Sequence, residues 1–273
     1  MKKYAALVTF VFVAATGCNS ETKDTPPPTT SKLDATTSNS PPKSPAPDTK
    51  PLVTTDAPKP SQSSSESTPT PASKPPSASE LPASLKHEGY EYEGLANSKP
   101  MDMELVQGGA NNVITGSQSI TLKEVKNGVA TYTVERTGGL SVLGSEIWSL
   151  ESDGIYTTSS SLASLSPRAM ELPASPKPGM TWHFHLKSDN PDNKMDVENN
   201  CKVIGFEPVT TKARSYEKAL LVEQNGSGTL RNQKVRTVSR IWYVKGIGTV
   251  KAQVKDSLPD GKSQTLTIQE TKQ

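Results

Sequence analysis

The chain has 273 residues and a net charge of +2, with charged residues making up 21% of it, so its overall charge points to no acidic or basic partner. Hydrophobic residues reach only 32%, and 15 of the 23 prolines lie between Pro26 and Pro82, so one part of the chain cannot build a core. Two cysteines, Cys18 and Cys201, exclude a disulfide-rich scaffold.

Lys2 and Lys3 begin a segment in which Ala5 to Ala15 is apolar and uncharged, and Ala15-Thr16-Gly17 then leads into Cys18. That order reads as a secretory signal peptide over residues 1–17. The uncharged run is about half of the roughly 20 residues that a spanning helix needs, so cleavage is favoured over a permanent anchor. The small-small-Cys ending resembles the lipobox of bacterial lipoproteins, with Ala15 where Leu is commoner. The resemblance implies lipidation of the Cys18 thiol, cleavage before it, and acylation of the new amino terminus by palmitate-type chains. Two or three chains hold a protein stably at a bilayer, because each buried methylene contributes about 0.8 kcal/mol. Asn19, not Asp, follows the cysteine. In a two-membrane cell this favours the outer membrane, on the same resemblance.

Residues 18–84 read as a Pro/Ser/Thr-rich tether, with Pro26-Pro27-Pro28, Ser63-Ser64-Ser65 and Pro75-Pro76 as typical runs. With so few large aliphatics it cannot offset the entropy of ordering, so disorder is expected. Acidic and basic residues nearly cancel along it, which argues against binding nucleic acid. Its expected reach is about 45 Å if flexible and up to about 200 Å if extended.

From Leu85 to about Gln269 the pattern is mainly β. Ser119–Lys126 and Val129–Thr137 alternate around Asn127-Gly128, a strong hairpin signal. Ile120, Leu122 and Val125 are expected inward on the first arm, whereas the second leaves both faces open. Further strands are expected at Leu140–Leu150, Ile155–Thr158, Thr181–Lys187, Val197–Phe206, Tyr216–Gln224, Lys234–Val244, Thr249–Lys255 and Gln264–Gln269. Turns are expected at Glu151–Gly154, Asp189–Asn193 and Pro259–Gly261, and Leu162–Ala174 reads as a short helix or a loop. Residues 85–273 should therefore form one antiparallel, strongly curved sheet or open barrel.

Lys177-Pro-Gly-Met-Thr-Trp182, followed by Ile241-Trp-Tyr-Val-Lys-Gly-Ile-Gly-Thr-Val-Lys251, resembles a "PGxxW … WYxxGxGxV" pattern of uncharacterised bacterial envelope proteins. Some of these are similar to the half-barrels of lipoprotein carriers, which hold acyl chains in an apolar concavity. The resemblance implies a bent sheet and brings no catalytic residues. In this chain Trp148, Trp182 and Trp242 read first as core side chains, and Gly246 and Gly248 as turn or bulge positions.

Little in the chain suggests chemistry. Gly139-Leu-Ser-Val-Leu143 breaks the nucleophile-elbow pattern, and Gly226-Ser-Gly228 and Gly246-Ile-Gly248 read as turns. His183 and His185 share a strand face about 7 Å apart, but His87 is the only other histidine, so a solvent-facing pair is expected rather than a metal site. Cys201 reads as a buried thiol. No enzyme activity and no cofactor are expected. Two readings lead: a membrane-tethered binding module for a lipid or other apolar ligand, and a structural or protein-interaction lipoprotein of the envelope with no pocket. Replacing Cys18 with Ala should move the protein from the membrane to the soluble fraction; membrane retention of the variant would refute the anchor.

Overall fold

Alternation with a two-residue period leaves the chain no efficient way to bury its apolar groups except as strands of one curved sheet. In the computed structural model, residues 7–8, 12–13, 81–97, 99–108, 113–162, 168–188, 194–230, 232–257 and 263–271 are described. The chain divides into two units, residues 1–17 with 74–273 and residues 18–73. The tether up to residue 80, Cys18, and the turns expected at Asp189–Asn193 and Pro259–Gly261 lie outside the described residues. Within the segment read as a signal peptide, Leu7–Val8 pairs antiparallel with Phe12–Val13. No helix among the described residues is long and apolar enough to cross a membrane.

Twelve strands follow: β1 Met101–Gln107, β2 Val113–Lys126, β3 Val129–Arg136, β4 Glu146–Glu151, β5 Gly154–Ser160, β6 Ala169–Pro173, β7 Thr181–Ser188, β8 Met195–Thr210, β9 Ser215–Leu230, β10 Gln233–Val244, β11 Gly248–Ser257 and β12 Ser263–Glu270. All neighbours pair antiparallel, in the order β6-β5-β4-β3-β2-β1-β12-β11-β10-β9-β8-β7, so the first and last strands meet in the middle of the sheet. The sheet is nearly closed into a barrel, with β6 and β7 as its two edges. Across that seam the Trp182 Nε1–H donates to the Met170 carbonyl at 3.0 Å, and Ala169 packs with Phe184 and Leu186.

The Asn127-Gly128 hairpin forms as expected, with φ of 52° and 79° at the two residues, the left-handed pair that a tight hairpin requires. On its second arm Ala130, Tyr132 and Val134 turn inward, and a bulge between Leu122 and Glu124 brings Val125 back into phase with Leu122. Gly226 and Gly228 are corrected from turn to strand. A Cβ on Gly228 would meet the Asp196 carbonyl at 2.0 Å, so the backbone of strand β8 passes too close for any larger residue there, whereas one on Gly226 would meet the Asn199 side-chain oxygen at 2.7 Å. β9 therefore runs six residues beyond Gln224, where the expected strand stopped.

Other expectations give way to tertiary contacts. Leu140–Leu143, expected as the start of the Leu140–Leu150 strand, belongs to a 3-10 turn over Gly138–Leu143, bounded by Gly138 and Gly144 at positive φ, which delivers Leu140 and Leu143 into the core. Ala169–Pro173 is strand β6, and Met101–Gln107 is a strand where none was expected. A five-residue helix, α1 (Glu88–Tyr92), sits in the segment Leu81–Leu95, which places Leu81, Leu85, Tyr90 and Leu95 among the barrel's core side chains. Trp182→Phe removes the seam hydrogen bond and little else, so it should cost about 1 kcal/mol and lower Tm by roughly 2–4 °C in calorimetry. An unchanged Tm would show that side-chain packing alone closes the seam.

Candidate functional site

The inner face carries a cluster of acids. Glu146 on β4 is an inward position, in step with Trp148 and Leu150, and its carboxylate accepts from Trp148 Nε1 at 3.0 Å and from Arg136 Nη1 at 3.4 Å. Arg136 also donates to the Gly144 carbonyl at 3.1 Å and, through Nε, to Gln118 at 2.9 Å, so this buried charge pair is well bonded. A bulge between Ile155 and Tyr156 on β5 leaves Glu171 as the extra residue on β6, and Glu171 hydrogen-bonds the Thr157 hydroxyl. Glu93 follows α1 and is 1% exposed. Only one of these three acids has a positive partner.

The consequence is electrostatic. Burial, reinforced by the charge of Glu146, pushes the Glu93 carboxyl up from 4.5 to about 8. Burial, with repulsion from Glu146 and Glu93, holds Glu171 well above the carboxylate range, against the opposing pull of Thr157 and Arg136. Glu93 is therefore mostly protonated at pH 7. Burial also raises the phenols of Tyr132 and Tyr243, Tyr243 further through Glu93 and Glu171. One carboxyl oxygen each of Glu93 and Glu171, the Tyr132 and Tyr243 hydroxyls and the Gln224 amide are buried without a hydrogen-bond partner; Thr249 lies beside Tyr243 but outside hydrogen-bond geometry. Glu146 was legible in principle, as an acid on the tryptophan face of an alternating strand, but the faces of that strand were not assigned.

A second feature lies on the outer face. A groove of about 640 Å³ is lined by Glu104 and Val106 of β1, Val113 of β2, Thr265, Thr267 and Gln269 of β12, and Lys212 from the turn between β8 and β9. Glu104 is 2% exposed although it faces outward, because Lys212 Nζ at 2.6 Å and Gln269 Nε2 at 2.8 Å both donate to it. Lys251 Nζ donates to the Thr210 carbonyl at 3.1 Å, and Arg214 with Tyr216 binds Glu270. Together these contacts hold the β8–β9 turn against the outer face of β1, β11 and β12. No sequence pattern announced this groove, because its residues are joined only by the fold.

The motif residues are structural. Lys177–Met180 makes a turn with Pro178 second, Gly179 third at φ +86°, and a Met180 N–H to Lys177 carbonyl bond of 2.9 Å, the signature of a type II turn. Gly246 N–H donates to the Glu91 carbonyl at 2.7 Å, and a Cβ on Gly248 would stand 3.0 Å from the Glu93 carbonyl, so the second motif is the seat of the α1 segment. Trp148 is buried in the main core and Trp182 half-buried at the seam. Trp242 packs on the opposite face from Ile241 and Tyr243, with Val209 and Leu221, and donates to Glu207 at 2.8 Å. It does not share a core with Trp182.

Cys201 is 2% exposed and its thiol is pushed up by burial. His185 faces outward, Nε2 at 2.9 Å from Asp196 and Nδ1 at 3.7 Å from Glu198. Among the described residues no group of three or more His, Cys, Asp or Glu is arranged to hold a metal ion. His87 serves α1: its Nδ1 accepts from the Tyr90 N–H at 3.1 Å, so the proton sits on Nε2, which donates to the Glu151 carbonyl at 2.9 Å.

No protein-family profile and no curated protein matches the chain. Among solved structures, the chain is similar to a Bacteroides fragilis protein described as exported and of YmcC-like fold, at 10% identity and a TM-score of 0.40, over 64% of this chain and 96% of that one. It is similar also to a Parabacteroides distasonis protein described as a lipoprotein, at 13% identity and a TM-score of 0.41, over 64% of this chain and 95% of that one. Overlaps at this level carry no argument about fold or role.

A carboxyl held at about 8 in the fold keeps a proton that the unfolded chain gives up near 4.5, so its contribution to stability falls as pH rises through that window and is level above it. Glu93→Gln should remove up to about 1.4 kcal/mol per pH unit of that decline. In urea unfolding at pH 5, 6.5 and 8, the variant's advantage over the parent should grow with pH. An advantage that stays constant would show that Glu93 ionises freely in the fold.

Proposed function

We propose that this chain is an extracytoplasmic lipoprotein of a bacterial envelope, held at a membrane by Cys18 and carrying a non-catalytic binding domain that meets an envelope protein at its outer face. The observation that carries the choice between the two leading readings is the filled inner face. Where a carrier would seat an acyl chain, this barrel places Leu81, Leu85, Tyr90 and Leu95 together with Leu140 and Leu143. The outer groove offers a concavity whose Val106 and Val113, threonine hydroxyls, and Glu104–Lys212 pair suit an extended polypeptide better than a hydrocarbon. The resemblance to PGxxW envelope proteins and the signal features of residues 1–18 support the location, with the outer membrane favoured by Asn19 in a two-membrane cell. The reading includes no catalytic step and no cofactor.

Native mass spectrometry of the chain recovered from the envelope as its Cys18→Ala form should give the mass of the polypeptide alone, and a stoichiometric acyl or phospholipid adduct would return the assignment to a lipid carrier. A photo-cross-linker placed at Thr267 in the groove should capture one envelope protein, and Val113→Arg, at an exposed position of the groove wall, should abolish that capture without lowering Tm. Capture that survives this substitution would move the contact elsewhere.

A further inference from the structure

The segment Leu81–Leu95 is unlike the rest of the barrel's filling, because it is not strand and it is continuous with the region that precedes the domain. Four of its side chains, Leu81, Leu85, Tyr90 and Leu95, lie in the core, yet few polar bonds hold its backbone. Gly89 N–H donates to the Ala174 carbonyl at 2.9 Å, the Glu91 carbonyl accepts from Gly246, and His87 bridges to the Glu151 carbonyl. Its fit is a matter of close approach: a Cβ on Gly94 would stand 2.4 Å from the Ile247 carbonyl. Its one fully buried acid, Glu93, has no partner for Oε2, and Glu171 Oε2 and the Tyr243 hydroxyl are unpartnered too. With the segment in place these groups have lost water and gained no replacement bond; with it withdrawn they regain water.

We propose that Leu81–Leu95 is a releasable plug, held in the barrel only while Glu93 carries a proton, so that ionisation of Glu93 withdraws it and uncovers the inner face. Glu93 is faced by Glu146 from β4, Glu171 from β6 and Tyr243 from β10, while Arg136 from β3 is engaged with Glu146 and Cys201 from β8 adjoins Glu171 and Tyr243. Its own segment adds Glu88, Tyr90, Glu91 and Tyr92, with Lys245 paired to Glu91 at 2.6 Å. Among the described residues no cation stabilises a charge on Glu93, so its ionisation inside the barrel is opposed by burial and by Glu146. His87 acts in the opposite sense. Burial lowers it from 6.5, and a proton on Nδ1 would end its acceptance from Tyr90, so as pH falls below 6.5 it offsets part of what protonation of Glu93 contributes. Withdrawal would uncover Tyr132, Glu146, Glu171 and Tyr243, and would add roughly 50 Å of extended chain to the connector. The device is independent of the outer groove.

Hydrogen exchange of the full chain at pH 6.5 and 9, corrected for the intrinsic pH dependence of exchange, tests it. A carboxyl that moves from about 8 to 4.5 on release predicts that opening of the 85–95 amides rises on the order of thirty-fold, with β3 and β10 unchanged. In Glu93→Gln the rise should fall below about threefold. Gly94→Ala, which pushes the segment out sterically, should show the 85–95 amides open at pH 6.5 with the strands still protected. The proposal is overturned if Glu93→Gln keeps the full rise, or if the strands lose protection together with the segment in the parent or in Gly94→Ala.

Discussion

A sheet of twelve antiparallel strands that curls until its edges meet must fill its own inner face, and that constraint organises this domain. The strands supply much of the filling, but the remaining volume is taken by two pieces of chain that are not strand, Leu81–Leu95 and Gly138–Leu143. Both are positioned by glycines. Gly138 and Gly144 bound the second piece, and Gly94 and Gly248 let the first lie backbone to backbone against the turn between β10 and β11. Of the glycines in the WYVKGIG motif, Gly248 lets the segment approach closely and Gly246 takes the positive φ of the turn and donates to Glu91, and no ligand is required to account for them.

The same filling carries acids into the interior. Burial of one ion pair, Arg136 with Glu146, uses the available positive charge, and the two remaining carboxyls stay neutral because an ion there would have neither water nor a partner. Stability and release draw on one set of groups. A domain that only needed a core would be served by apolar residues at Glu93 and Glu171, and their acids make the interior sensitive to proton activity near neutrality.

On the outside the logic differs. The bulges between Val203 and Gly205 and between Glu207 and Val209 bend the long β8–β9 hairpin, and its turn is held over the outer face by Lys212, Arg214 and Tyr216. That fold-back buries Trp242 on the face away from the barrel core and walls the groove beside Glu104. A concave surface arises here from the bending of a hairpin, so it is made of residues drawn from both halves of the chain.

Taken alone, the order of residues determined what local physics can determine. Alternation identified most of the strands, Asn127-Gly128 the hairpin, Pro178-Gly179 the turn, and the regular spacing of strands and turns the curved β class, because each depends on neighbours within a few positions. Tertiary structure decided the rest. Gly226 and Gly228 looked like a turn until the backbone of β8 showed why strand admits only glycine at 228, and Leu140 looked like strand until the interior needed a plug. The pairing of β1 with β12, the meeting of Glu93 with Glu146 and Glu171, and the groove between Lys212 and β12 join residues 51 to 167 positions apart. Contacts of that range leave no periodic trace in a sequence, since their energy exists only when the sheet has closed.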